Sequence, residues 1–355
     1  MTPLGEVLCR RIAKSGPVTL ADYMAECLLH PEHGYYATRD PLGAAGDFTT
    51  APEVSQMFGE CLGLALAQAW ADQGGPKRVI LAELGPGRGT LMADVLRAAK
   101  ALPGFRQAVE LHLVEASPVL RARQAETLAE ARPNWHDTVA TLPEAPLFLL
   151  ANEFFDALPI RQFLRQGPGW RERQVGLIEG RLGFGLAAPA PVAALAHRLD
   201  DTRDGDLVEL CPALPAIMGE IGRRIAAYGG AAIIVDYGGW QSLGDTFQAL
   251  RAHAYDDPLA HPGEADLTAH VDFAAIARAA TPAGVSAMVE QGALLERLGI
   301  AARAGVLARG LDDRRLAAHR AALRRLTHAK EMGRLFKAVA IHPRASPAPP
   351  GFHEP

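Results

Sequence analysis

A mostly parallel, doubly wound α/β sheet is the fold class this sequence predicts. Three observations carry it. Apolar-rich runs recur at RVILAEL (78–84), VELHLV (109–114), LFLLA (147–151) and AAIIVDY (231–237) and read as buried parallel strands. Helix-like stretches, 90–101 and 118–131, separate the first three. Strand, helix, strand, helix at this spacing calls for parallel pairing through right-handed crossovers.

The elements follow in chain order. Leu4, Val7, Leu8 and Ile12 recur at helical spacing and define a first helix. Arg10, Arg11 and Lys14 give it a basic cast, but Glu6 argues against a transit peptide. Thr19 is a candidate N-cap for a helix ending at Leu29, with Asp22 three positions on. A Gly/Pro/Asp-rich loop spans His30 to Pro52. A second helix begins at Glu53 and sets Val54, Met57, Phe58, Cys61, Leu62 and Ala65 on one face. Glu53 and Glu60, two turns apart, read as part of its solvated side.

Residues 160–187 read as a hairpin or meander around Gly-Pro-Gly at 167–169. The polar segment 238–272 shows no clear period and reads as a long loop. VSAMVEQ (285–291) and FKAVAIHP (336–343) read as closing strands. Between them lies a helix, 312–334, whose Arg314, Arg315, Arg320, Arg324, Arg325, Lys330 and Arg334 form a solvated face. The proline-rich tail 343–355 reads as loose. The expected organisation is a helical N-terminal region with a lid (1–75), a first sheet half (76–159), an inserted subdomain (160–230), a second sheet half (231–342) and the tail.

Composition narrows the function. A chain of 355 residues holds two domains, or one with an insertion, at roughly 100–200 residues each. At 49% hydrophobic and 21% charged it is not a disordered protein. Lys+Arg total 36 against 40 Asp+Glu, a net charge of −4, which argues against nucleic-acid binding. Cys9, Cys27, Cys61 and Cys211 are scattered without a CxxC pair, so neither a metal site nor a disulfide framework is expected. Scattered thiols suit a reducing compartment. No apolar run is long enough to span a bilayer.

The sharpest motif is VILAELGPGRGT (79–90), in which a buried strand runs into Gly85, Gly87 and Gly89 and then a helix. Glycines allow a tight turn and let a ligand approach the peptide groups. A dinucleotide fingerprint needs G-x-G-x-x-G, and its third glycine falls here on Thr90. The spacing is instead G-x-G-x-G with Glu83 two residues before it, similar to the first motif of S-adenosylmethionine (SAM)-dependent methyltransferases. SAM carries no phosphate, but its ammonium and sulfonium favour a nearby carboxylate. Glu115, 26 positions beyond Gly89, ends the next strand and can accept both ribose hydroxyls of an adenosine. NAD would use that carboxylate equally, so Glu115 alone does not separate the two cofactors.

ANEFFDALPIRQF (151–163), after the third strand, resembles the signature of the MidA-like methyltransferases. PVTLADYMAECLLHPEHGYY (17–36), GDFTTAPEVSQMFGE (46–60), AELGPGRGTLMADVLR (82–97), IIVDYG (233–238) and GEADLTAHVDF (263–273) are similar to that family too, so the likeness runs from about residue 4 to 342. The family includes a mitochondrial arginine methyltransferase that helps to assemble respiratory complex I. The resemblance implies a class I, Rossmann-like methyltransferase fold, SAM as cofactor and a protein arginine as substrate. No presequence precedes the matching region, so a bacterial, cytoplasmic protein is expected.

In such sheets ligands sit beyond the carboxyl ends of the strands. Asn152, Glu153 and Asp156 follow the 147–151 strand, placing Asn152 with the cofactor residues and the two carboxylates at the transferred methyl. Paired carboxylates hold a guanidinium bidentately and steady its charge. Asp47 and Phe48 lie in a loop able to cover SAM, Asp47 meeting a charge or hydroxyl and Phe48 a ring. Asp236 and Tyr237 end another strand, and His253 and His270 fall in 238–272; all four are candidates on the substrate side. Competing readings are a SAM-binding assembly chaperone with little turnover, a small-molecule methyltransferase and an NAD-dependent oxidoreductase. Thr90 argues against the last.

Overall fold

The structure is a computed structural model that describes residues 1–38 and 50–353. Its centre is a nine-stranded sheet built around six principal strands: β1 (Val79–Leu84), β2 (Val109–Val114), β3 (Asn134–His136), β4 (Leu147–Asn152), β5 (Gly230–Gly239) and β6 (Phe336–His342). Their order across the sheet is β6-β5-β4-β1-β2-β3. All neighbours are parallel except β5 and β6, which run antiparallel. The chain reverses its direction of winding between β1 and β4, where open α/β sheets place their ligand.

The apolar runs form strands because both faces are covered. Every residue of β1 and β4 is buried. Leu81, Leu113, Phe148 and Leu150 pack under helices Gln56–Asp72 and Thr90–Ala98. Ile80, Ala82, Leu149 and Ile234 pack on the other face against Met218, Ile221 and Ile225 of helix Leu214–Tyr228. The N-terminal helices Pro3–Ser15 and Leu20–Leu29 bury Leu8, Tyr23 and Met24 in a separate cluster with Val175 and Leu267. Thr19 caps the second of these by accepting from Asp22 N.

The structure departs from the sequence reading in several places, among them the expected helix 312–334, which is two, Asp313–Thr327 and Met332–Leu335. Strand β3 has only three residues and goes unannounced by any apolar run. The segment expected to be one helix from Glu53 is two, Ala51–Val54 and Gln56–Asp72, because Ser55 takes an extended conformation and caps the second. Residues 238–272 are not a loop throughout: Gln248–Arg251 pairs antiparallel with Ala254–Asp256 and with Asp266–Thr268. The 285–291 run is two short strands on β6, Gly284–Val285 and Val289–Glu290. Between them Ser286 exchanges hydrogen bonds with Ala340 through its Oγ as well as its N–H, which displaces the chain from the ladder. The tail is docked through residue 353: Phe352 is buried in the main core, and Ala287 N donates to His353 O at 2.9 Å.

The 160–187 segment forms three antiparallel strands, Arg161–Gln166, Gly169–Ile178 and Arg181–Leu186. Val18–Thr19 and Leu207–Leu210 complete a second sheet with them, so the N-terminal region and the insertion share one layer.

Candidate active site

A cavity of about 780 Å³ opens beyond the carboxyl ends of β1, β2 and β4. Glu83 from β1, Glu115 just past β2 and Asn152 from the end of β4 all line it. They continue the rows that carry Leu81, Leu113 and Leu150, so strand alternation turns all three toward one face. Asp236 lies in the opposite row, after Ile234, and does not line the cavity.

The glycine turn has the backbone the motif calls for. Gly85, Gly87 and Gly89 have φ of 58°, 54° and 81°, the left-handed region where a side chain is strained. A Cβ on Gly85 would also stand 2.8 Å from the Phe154 ring. Gly85 and Gly87 line the cavity, whereas Gly89 caps the following helix at Thr90.

Glu115 is held on both oxygens. Ser117 N donates to Oε1 at 2.7 Å and Gln124 Nε2 to Oε2 at 3.1 Å. The same Gln124 nitrogen lies 2.8 Å from the Gly87 carbonyl, and Gln124 Oε1 accepts from Trp135 Nε1 at 2.9 Å. Glu83 is 2% exposed, and its Oε2 has no hydrogen-bond partner. Burial and then repulsion from Glu115 push its carboxyl up to about 8. A buried carboxylate without a donor asks for a ligand cation or hydroxyl. The site therefore fits SAM: a donor-free carboxylate for positive charge, a braced one for a diol, and glycines that let the cofactor lie against the backbone.

At the end of β4 the chain turns sharply. Glu153 adopts φ 51°, uncommon for a residue with a side chain. Its Oε1 accepts from Ala51 N and from Asn152 Nδ2, each at 3.0 Å. Glu153 and Asp156 both line the cavity. Burial and then repulsion from Asp236, Glu153 and Asp266 hold the Asp156 carboxyl well above the carboxylate range. Asp236 supports this turn from beneath. Its Oδ2 accepts from Phe154 N and Phe155 N at 3.1 and 2.8 Å, and its Oδ1 from Tyr237 N at 2.8 Å. Its place is thus structural, since its oxygens are taken by the backbone that aims Glu153 and Asp156.

The remaining candidates separate. Tyr237 lines the cavity and meets the His270 ring edge-on at 4.2 Å. His270 lines a second, smaller cavity and not this one. His253 sits exposed at a hairpin tip with φ 62° and does not line the cavity, although Leu250 and Tyr255 of the same hairpin do. Asp47 and Phe48 lie outside the described residues. Glu60 is not on a solvated face but buried, with Arg303 on both carboxylate oxygens at 2.6 and 2.9 Å and Arg97 at 3.0 Å. Glu53 lines the cavity and accepts from Thr90 Oγ1 at 2.5 Å. The sequence reading does not pick out Tyr36, Gln124 or Asp266: no periodicity marks them, although Tyr36 and Asp266 fall inside the family-like segments 17–36 and 263–273. Among the described residues no group of His, Cys, Asp and Glu is arranged to hold a metal, and no helix is long and apolar enough to cross a membrane.

The sheet order, the antiparallel last strand, the G-x-G-x-G turn and the two strand-end carboxylates define a class I SAM-dependent methyltransferase. The chain belongs to the family described as "Putative S-adenosyl-L-methionine-dependent methyltransferase", whose model matches residues 61–290. It is 37% identical over 375 residues to the human mitochondrial protein arginine methyltransferase NDUFAF7, covering 97% of this chain and 84% of the relative. The bovine counterpart is 38% identical over 341 residues, 88% and 77% of the two chains. A methyltransferase-like protein from Burkholderia thailandensis, crystallised with S-adenosyl-homocysteine, superposes with a TM-score of 0.82 at 31% identity, covering 98% of this chain and 93% of that one.

Proposed function

We propose that this methyltransferase modifies an arginine side chain of a partner protein. The observation that carries the reading is the pair Glu153 and Asp156 at the end of β4, both in the wall of the cavity that holds the glycine turn. The mitochondrial relatives named as protein arginine methyltransferases support it.

When bound, SAM supplies an electrophilic methyl on a sulfonium. The protein's part is alignment and charge. Glu115 holds the ribose, Glu83 and the unpartnered Asn152 Oδ1 face the cofactor's cationic end, and Glu153 and Asp156 grip the guanidinium. A guanidinium is a poor nucleophile because its lone pairs are delocalised, so holding one nitrogen toward the methyl is most of the task. The nitrogen that gains the methyl loses one proton. Asp156 is the acceptor we assign, since burial and its acidic neighbours raise its affinity for a proton.

The MidA-like resemblance supports a partner linked to respiratory complex assembly, and four free cysteines are compatible with a bacterial cytoplasm. The test is quantitative mass spectrometry of methyl-arginine in cells with and without the gene. Loss of methylation at one or a few arginines is expected. An unchanged methyl-arginine profile would contradict the reading.

A further inference from the structure

The cavity wall holds one more carboxylate, contributed by the small sheet in 238–272. Asp266 is 4% exposed and lines the cavity together with Asp156. Its Oδ1 accepts from the Tyr36 hydroxyl at 2.8 Å. Its strand is fixed to the β4 turn, because Ala269 N donates to Asp156 O at 3.0 Å. Tyr36 is itself tied to the cofactor end: Ser117 Oγ donates to its carbonyl at 2.7 Å, and Ser117 N donates to Glu115. Hydrogen bonds thus link Glu115 to Ser117, Ser117 to the Tyr36 backbone, and the Tyr36 hydroxyl to Asp266.

We propose that Asp266, positioned by Tyr36, is a second substrate-binding carboxylate that with Asp156 selects a guanidinium over other side chains; this rests on the arginine reading above. Several carboxylates around one cavity repel each other unless a cation lies among them. A guanidinium carries five N–H donors in a flat fork and serves acceptors on two sides at once, which a compact ammonium does not. Tyr36 acts through Asp266: its hydroxyl turns that carboxylate and ties its position to the ribose end.

The experiment titrates Nα-acetyl-arginine N-methylamide, and separately its neutral citrulline counterpart, into the protein loaded with S-adenosyl-homocysteine. The wild type is expected to bind the arginine probe and discriminate against citrulline. Asp266→Asn should weaken the arginine probe by about tenfold or more, the loss of one charged hydrogen-bonding partner. Tyr36→Phe, which keeps the ring, should weaken it by roughly threefold to tenfold. Neither variant should change S-adenosyl-homocysteine affinity by more than about threefold. With an arginine peptide as methyl acceptor, Asp266→Asn should raise KM more than it lowers kcat. If the wild type binds the arginine probe and both variants bind it equally well, Asp266 has no such role and the arginine reading stands. If the wild type fails to distinguish arginine from citrulline, both are overturned.

Discussion

Gln124 and Glu115 form one unit. The Gln124 Nε2 lies 3.1 Å from the Glu115 carboxylate and 2.8 Å from the Gly87 carbonyl, so a single buried amide sets the Glu115 carboxylate, the proposed ribose acceptor, against the glycine turn. Gln124→Leu keeps the volume and removes every hydrogen bond. It leaves the half-buried Gly87 carbonyl and Trp135 indole N–H without this partner, at about 1 kcal/mol each, since water can reach part of the site. The expected outcome is a lower Tm together with weaker SAM binding, followed by scanning calorimetry and by titration well below the transition. Lower Tm with unchanged affinity would show that Gln124 serves the fold alone.

Glu115→Ala removes the acceptor proposed for both ribose hydroxyls. Two charge-assisted hydrogen bonds contribute on the order of 1.5–3 kcal/mol each, so SAM affinity should fall by tenfold or more. Adenosine should lose affinity in parallel, because the loss lies at the ribose. Equal affinities for wild type and variant in titration calorimetry would place the adenosine elsewhere.

Glu83 makes cofactor binding depend on pH. Its carboxyl is raised to about 8, so near pH 6 it is protonated in the free protein, and it ionises as pH rises through 8. A cationic ligand favours the ionised form. SAM affinity should therefore climb between pH 6 and 8, by at most about tenfold per pH unit. Glu83→Gln should remove that slope. The sign for folding is opposite. A raised carboxyl binds more protons in the native state than in the unfolded one, so its contribution to stability declines from the unfolded pKa up to about 8. Ligand-free Glu83→Gln should accordingly lose less stability over that window than the wild type, as read from denaturant midpoints. Parallel pH profiles for wild type and variant would remove Glu83 from the cation site.

Glu60 belongs to the fold and not to the chemistry. Its bidentate pair with Arg303 and its contact with Arg97 join helices Ile300–Leu307, Gln56–Asp72 and Thr90–Ala98. Both arginines are partly exposed and regain water when the carboxylate is lost, which keeps the penalty moderate. Glu60→Gln should cost about 1.5–3 kcal/mol of stability, measured by urea unfolding, with SAM affinity unchanged. A variant of full stability would contradict this.

The elements legible in the sequence were those with a strong period. β1, β2, β4, β5 and β6 are apolar-rich runs, the pattern expected of strands largely buried on both faces. Strand β3 was invisible because its Asn134-Trp135-His136 has only three residues, one of them exposed. The hairpin at 248–256 was missed because its turn uses Ala252 and His253 in left-handed conformations, where the sequence signal is Asn-Gly or Asp-Gly. Glu60 looked solvated because its arginine partners lie 37 and 243 positions away. The gathering of the glycine turn, Glu83, Glu115 and Asn152 around one cavity was readable because a turn and strand ends are local in sequence. Glu153 and Asp156, also at a strand end, were readable in the same way, whereas the Tyr36–Asp266 pair was not, since those residues meet across 230 positions.

The central claim is that Glu153 and Asp156 hold the methyl acceptor, and transfer of labelled methyl from SAM to a partner protein tests it most directly. The wild type is compared with Glu153→Gln and Asp156→Asn, both near-isosteric, and SAM binding is followed separately. Each variant is expected to transfer at least about 10²-fold more slowly while binding SAM within a few-fold of the wild type, because the lost charge acts on the acceptor as charge moves off sulfur. Wild-type transfer rates in both variants would contradict the account and leave these carboxylates as parts of the turn alone.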